Sequence, residues 1–177
     1  LKVKALKNSG KALDQNSLQE LALRYVSKYA TTRYKLTAYL QRKLREREWN
    51  GDTPPDIQPM VERFVELGYI DDALFAKNRA ASLANRGYGK QRVSQALYQA
   101  GIDEDDGRDA LALSDENQWE AARIFARKKS IGPFAREQHD REKQQKQLQA
   151  FLRAGHSYDI AAKFVFASPG DEVTDTH

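Results

Sequence analysis

The chain contains no cysteine, which excludes disulfides and thiolate metal sites and says nothing about compartment. No run approaches the ~20 consecutive apolar residues of a membrane span. Leu1 to Lys11 lacks the apolar middle of a secretion signal, so a cytoplasmic protein without membrane attachment is expected. Period-two alternation is missing, and Asn50-Gly51 stands between helical stretches and not between apolar strands, which excludes a hairpin-built fold. There is no Gly-x-x-x-x-Gly-Lys phosphate loop, and His139, His156 and His177 are scattered without a nucleophile arrangement. Neither catalysis nor a cofactor is expected. The acidic run Asp103-Glu104-Asp105-Asp106 lacks the alternating ligand spacing of a calcium loop. It reads as a helix N-terminus, where carboxylates favour the dipole, and no metal is expected.

What is present is charge. Charged residues make up 31% of the 177 residues, above the usual quarter, which favours an elongated body over one thick core. The net charge of +4 hides an uneven distribution. Residues 1–50 carry twelve Lys/Arg against four Asp/Glu, residues 51–118 seven against thirteen, and residues 119–153 nine against four. Two basic regions flanking an acidic one suit a protein that meets polyanions.

Apolar residues recur at helical spacing. Leu18, Leu21, Ala22, Tyr25, Val26 and Tyr29 form one stripe, Leu36, Leu40 and Leu44 a second, and Ile57, Met60, Val61, Phe64 and Val65 a third, closed by Gly68. Thr53-Pro54-Pro55-Asp56 reads as the start of that third helix, with Thr53 as N-cap and Pro54 at the first helical position. Later starts are predicted at Asp71/Asp72, Gly89, Asp115 (with Gln118, a capping box) and Ser157. Val93, Ala96, Leu97 and Ala100 form a further stripe ended by Gly101.

The helices are short and come in sets. Leu97-Tyr98-Gln99-Ala100-Gly101-Ile102 and Phe151-Leu152-Arg153-Ala154-Gly155-His156 share an ending, and Leu40 occupies the comparable place earlier in the chain. The fold class is therefore all-α, with three tandem three-helix repeats, elongated and curved as such arrays are. The division is a basic, flexible N-terminal segment over 1–15, repeats over 16–70, 71–113 and 114–166, and a flexible tail over 167–177.

The middle repeat carries a resemblance. Glu66-Leu67-Gly68-Tyr69-Ile70-Asp71-Asp72 runs into Leu74-Phe75-Ala76, and Asn85-Arg86-Gly87-Tyr88-Gly89-Lys90 leads to Arg92-Val93, Leu97 and Gly101-Ile102. This resembles the RecX family of bacterial regulatory proteins, closely over 66–102 and more loosely, in register, from about 18 to 166. Two features depart from the family pattern. Lys90 stands where the family commonly has Pro, and Trp49 to Pro55 forms a polar, insertion-like linker. The resemblance implies a three-repeat helical protein that binds the RecA recombinase filament, and a monomer is expected. It would inhibit strand exchange, ATP hydrolysis and coprotease function in DNA repair.

Several residues are candidates for that contact. Arg33, Lys35, Arg42 and Lys43, with Arg45 and Arg47, surround the second helix; Arg86, Lys90 and Arg92 cluster in and after a turn; Arg123, Arg127 and Lys128 follow on a later helix, in a stretch (121–136) without any acid. Each patch suits phosphate or an acidic protein surface. Arg86-Gly87-Tyr88-Gly89 is read either as a phosphate-cradling loop or, as expected here, as a tight turn between packed helices with Tyr88 over the joint. Tyr34, Tyr39, Trp49, Phe75, Trp119 and Phe125 read as core or edge aromatics, with an exposed partner contact as a second reading for Trp49 alone. No third helix of a repeat concentrates the Arg, Asn and Gln that read base edges, so weak, non-specific binding of single-stranded DNA is expected. Two other readings stand beside this one: a helical DNA-binding protein without a recombinase partner, and a helical protein–protein adaptor. Co-sedimentation with and without assembled recombinase filament separates the three.

Overall fold

A computed structural model describes residues 11–175. Among them are nine α-helices and one 3-10 turn: α1 (Gln15–Lys28), α2 (Arg33–Glu46), α3 (Ile57–Glu66), α4 (Asp72–Ala84), α5 (Lys90–Gln99), α6 (Glu104–Glu116), α7 (Gln118–Lys129), the turn Gly132–Phe134, α8 (Arg141–Arg153) and α9 (Tyr158–Val165). No strand occurs among the described residues, and the one bridge joins Leu13 to Trp49. The chain divides into two compact units, Leu1–Phe75 and Ala76–His177.

The first unit is built on Leu13, Leu18, Leu36, Leu40, Val61 and Phe64, all buried in one cluster. Local chemistry fixes its helix ends. Asp14 caps α1 by accepting from the Ser17 amide at 2.8 Å while the Ser17 hydroxyl returns a bond from the Asp14 amide, a capping box with Ser in the reciprocal place. Thr32 caps α2 through Lys35 at 3.2 Å. The start of α3 differs from expectation. It begins at Ile57 with Asp56 as N-cap, past the proline pair, because Pro55 disfavours the helical conformation at Pro54. Pro59 falls in the first turn instead, where a missing N–H costs no intrahelical bond.

Leu13 lies within the segment expected to be flexible, yet it is buried and its backbone bonds Glu48 and Asn50. Residues 1–10 lie outside the described residues. Trp49 takes the first of its two readings, a core or edge aromatic. It packs against the first cluster, and its indole N–H donates to the Thr53 carbonyl at 2.7 Å, so the polar linker folds back over its ring.

In the second unit, one cluster gathers Ala76, Ala80, Leu83, Val93, Leu97 and Ala110 from α4, α5 and α6. Another gathers Ala122, Ala126, Leu148, Phe151, Ala161 and Phe164 from α7, α8 and α9. The shared endings close alike: Ile102 N–H donates to Leu97 at 3.1 Å and His156 N–H to Phe151 at 3.2 Å, the long bond of a Schellman cap. Gly89, Asp103 and Ser157 are N-caps. Asp115 is not, since α6 runs on to Glu116 and only Asn117 separates it from α7. The Asp115 carboxylate instead pairs with Lys90 at 2.9 Å. Part of the segment expected as a tail is packed: Val173 lies against the last cluster and Gly170 N–H donates to Pro133 at 3.0 Å. Residues 176 and 177 lie outside the described residues.

Candidate nucleic-acid and partner interface

The Arg86–Arg92 turn is built by two helix ends meeting. The chain leaves α4 at Gly87 (φ +84°) and enters α5 at Gly89. At that point the Gly89 amide donates to Ala154 at 2.9 Å and the Gln91 amide to Gly155 at 3.2 Å. The positive end of α5 is thus seated on the negative end of α8, a favourable meeting of dipoles. Two of the N–H groups that would cradle a phosphate, those of Gly89 and Gln91, are thus already bonded to protein carbonyls. A Cβ at Gly89 would stand 2.3 Å from the Gly155 oxygen, and one at Gly87 2.8 Å from the Phe125 amide. Those glycines serve close packing, as the turn reading expects.

The cations around the turn separate. The Arg86 and Arg92 guanidinium groups lie 5.2 and 6.0 Å from the Tyr88 ring centre, within cation–π reach, and Arg92 also bonds Gln95 at 3.0 Å. Lys90 turns to Asp115. The sequence cluster therefore presents two arginines bracketing one tyrosine, with the lysine drawn aside.

On α2, Arg42 and Lys43 lie 5.6 and 5.8 Å from the Tyr39 ring and both approach Glu46, Lys43 at 2.7 Å. That hydrogen bond holds the Glu46 carboxyl below its usual range. Lys35, two turns earlier, sits 4.6 Å from the Phe75 ring, and the Arg33 amide donates to the buried Asp72 at 3.0 Å. The double acid thus divides its work, since Asp71 caps its own helix through Leu74 at 2.8 Å. Tyr39 stacks on Tyr25 at 4.3 Å, which brings α1 residues Arg24 and Lys28 beside Arg42 and Lys43 around one groove. Those two cations were missed as candidates. The available signal was their four-residue spacing beside Tyr25 and Tyr29, but both tyrosines read as core stripe, whereas Tyr29 is exposed.

On α7, Arg127 lies 5.2 Å from the Phe134 ring and Arg123 lines a groove with the same Phe134 and Trp119. Lys128 reaches the Asn85 carbonyl at the end of α4 at 3.4 Å. Among the described residues no group of three or more His, Asp or Glu could hold a metal ion, and no helix is long and apolar enough to cross a membrane. The one buried imidazole among the described residues, His156, lies at the α5–α8 joint, where its Nε2 donates to the Gly87 carbonyl at 2.9 Å. Desolvation lowers its pKa, and the Gly87 bond offsets this only in part.

Comparison with known proteins places this architecture. A family model described as RecX, second three-helix domain, matches residues 71–111, which spans α4, α5 and most of α6. A regulatory protein RecX from Myxococcus xanthus is 31% identical over 160 residues, covering 86% of each chain. Another, from Agrobacterium fabrum, is 31% identical over 148 residues, covering 81% of this chain and 78% of that one. The crystal structure of RecX from Lactobacillus salivarius superposes with a TM-score of 0.64 at 28% identity, covering 82% of this chain and 90% of that one. With the middle helical set matched by the family model and relatives aligned along most of their length, this chain belongs to the RecX family of regulatory proteins.

Proposed function

We propose that this protein binds the RecA recombinase filament and restrains its strand exchange, ATP hydrolysis and coprotease activities, and so acts in recombination, DNA repair and the SOS response. It does this in the cytoplasm as a monomer, without cofactor or catalysis of its own, and touches single-stranded DNA only weakly. The partner comes from the family: its members carry the name of a regulatory protein, and the resemblance implies RecA as what is regulated. The observation that carries the reading at the level of geometry is the repeated placing of exposed cations over aromatic rings, at Tyr39, Tyr88 and Phe134. Such pairs hold a charge in a fixed place at the surface, where it meets a filament of protein and nucleic-acid phosphate.

The test is ATP hydrolysis by recombinase on single-stranded DNA, titrated with this protein. Substoichiometric amounts are expected to slow hydrolysis, while the protein alone hydrolyses nothing. An unchanged rate at saturating protein defeats the proposal.

A further inference from the structure

The groove between α1 and α2 interleaves aromatic rings with cations. Its walls are three tyrosines, Tyr25, Tyr29 and Tyr39, and four cations, Arg24, Lys28, Arg42 and Lys43, of which Arg42 and Lys43 also pair with Glu46 at 3.7 and 2.7 Å. Tyr25 and Tyr39 stack at 4.3 Å with planes 19° apart, and Tyr29 leans on Tyr25 at 5.3 Å. Continuous aromatic surface thus runs from half-buried Tyr39 to Tyr29, which is 49% exposed. The volume is about 440 Å³, within the roughly 300–1,000 Å³ range of ligand clefts.

We propose that this groove is a stacking site for single-stranded nucleic acid: a base lies on the exposed Tyr29 ring while Arg24, Lys28 and Arg42 take the adjoining phosphates. Aromatic faces interleaved with cations are what unpaired nucleic acid needs, because every base has a π-face and every linkage a negative charge. A duplex hides its base faces and would use only the cations. An acidic peptide would also use the cations but gain nothing from an open tyrosine face. Lys28, 5.4 Å from the Tyr29 ring, is on a flexible, exposed stem and moves to a phosphate when a base takes its place. Because the tyrosines supply no base-edge hydrogen bonding beyond a hydroxyl, the site accepts any sequence. The inference rests on the reading that this protein meets single-stranded DNA, and gives that contact a location. It does not require the recombinase.

The experiment uses the full chain without recombinase and a fluorescein-labelled oligothymidylate, read by anisotropy at low salt. Tyr29→Ala is expected to weaken binding about five-fold or more, with Tyr29→Phe within two-fold of the parent. An abasic oligonucleotide of equal length should bind the parent as weakly as oligothymidylate binds Tyr29→Ala. Should Tyr29→Ala melt early, the double variant Arg24→Gln/Lys28→Gln carries the test: its slope of log affinity against log salt should fall by about 1.4, or about 0.7 per phosphate contact. Unchanged affinity in Tyr29→Ala, or equal binding of abasic and normal strands by the parent, overturns the proposal. So does displacement by polyglutamate as effective as by oligothymidylate of equal charge, which would mark an acidic protein as the occupant. Since no recombinase is present, failure here leaves inhibition of ATP hydrolysis to stand or fall by its own assay.

Discussion

His156 stands where Ile102 stands in the preceding helical set, one residue past the helix-closing glycine. An isoleucine there contributes only packing. The imidazole adds a bond to the Gly87 carbonyl, and packs its ring 5.3 Å from Phe151 and 5.6 Å from Phe125. Its Nδ1 has no protein hydrogen-bond partner, which suits the neutral tautomer with the proton on Nε2. Burial sets the folded pKa below the ordinary 6.5, so below that pH the unfolded chain binds the proton first. The His156 contribution is therefore complete above 6.5 and is lost as pH falls from 6.5 towards the folded value, by at most about 1.4 kcal/mol per pH unit. Asp14 and Glu46 have carboxyls held below 3.8 and 4.5; their contributions begin to fade only near those lower values. Melting temperature is thus expected to be level from pH 8 to 7 and to decline just below 6.5. His156→Gln should cost about 1–3 kcal/mol at pH 8 and flatten the decline in that window. A decline of the same steepness in the variant would assign it to another group.

At the scale of elements, the joint of α5 on α8 holds the second unit together in a way that one methyl group tests. Gly89 has φ −81°, a conformation open to any residue, so Gly89→Ala carries no backbone strain. Its cost is purely the collision of a Cβ 2.3 Å from the Gly155 oxygen, with the two amide bonds to α8 disturbed as the backbone moves. A loss of about 2–3 kcal/mol is expected. Gly68 is the opposite case, with φ +76° and nothing near a Cβ, so Gly68→Ala should cost about 1 kcal/mol from left-handed strain alone. Trp119 is partly buried against the cluster of the last helical set, and Trp49 against that of the first. Urea unfolding can follow Gly89→Ala by Trp119 in a Trp49→Phe background, and Gly68→Ala by Trp49 in a Trp119→Phe background. Equal costs at the two positions would contradict the steric account. These elements also mark what can be read from sequence. Starts at Gly89 and Ser157 and stops at Gly68 and Gly101 are local chemistry and were legible. Thr53 misled because a Pro-Pro pair is a helix barrier as well as a helix-start signal, and Asp115 because a single residue, Asn117, suffices to separate α6 from α7. The seating of Gly89 on Ala154 spans 65 positions and leaves no local pattern. Tyr25 and Tyr29 have helical spacing in common with true core residues such as Leu18, so periodicity could not tell a groove wall from a core.

At the scale of the whole molecule, binding to the filament as proposed requires one of the basic surfaces to carry the contact, and the cations at the Arg86–Arg92 turn are the sharpest case. Removing Arg86, Lys90 and Arg92 together deletes two exposed cation–π contacts, one exposed ion pair and the exposed Arg92–Gln95 hydrogen bond. Such contacts are worth about 0.5–1 kcal/mol for each cation–π pair and less than about 1 for the ion pair. For a chain of this length each kcal/mol moves the melting temperature by about 2–4 °C. The triple alanine variant is therefore expected to keep its helical circular dichroism and melt a few degrees early. It should inhibit recombinase ATP hydrolysis less than the parent, because the two arginines fixed beside Tyr88 are what the partner would touch. Net charge alone could produce the same loss by weakening attraction at a distance. The control is Lys77→Ala/Arg79→Ala/Arg108→Ala, which removes three exposed charges from the same unit, two of them paired with Asp109 and Asp105. This control should inhibit as the parent does. If both variants lose inhibition equally, the effect is long-range charge and the turn is no contact. If the Arg86 variant unfolds, the arginines and Tyr88 were holding the α5–α8 joint. If it folds and inhibits like the parent, the filament meets the protein elsewhere, and the helix carrying Arg33 to Arg47 becomes the surface to test.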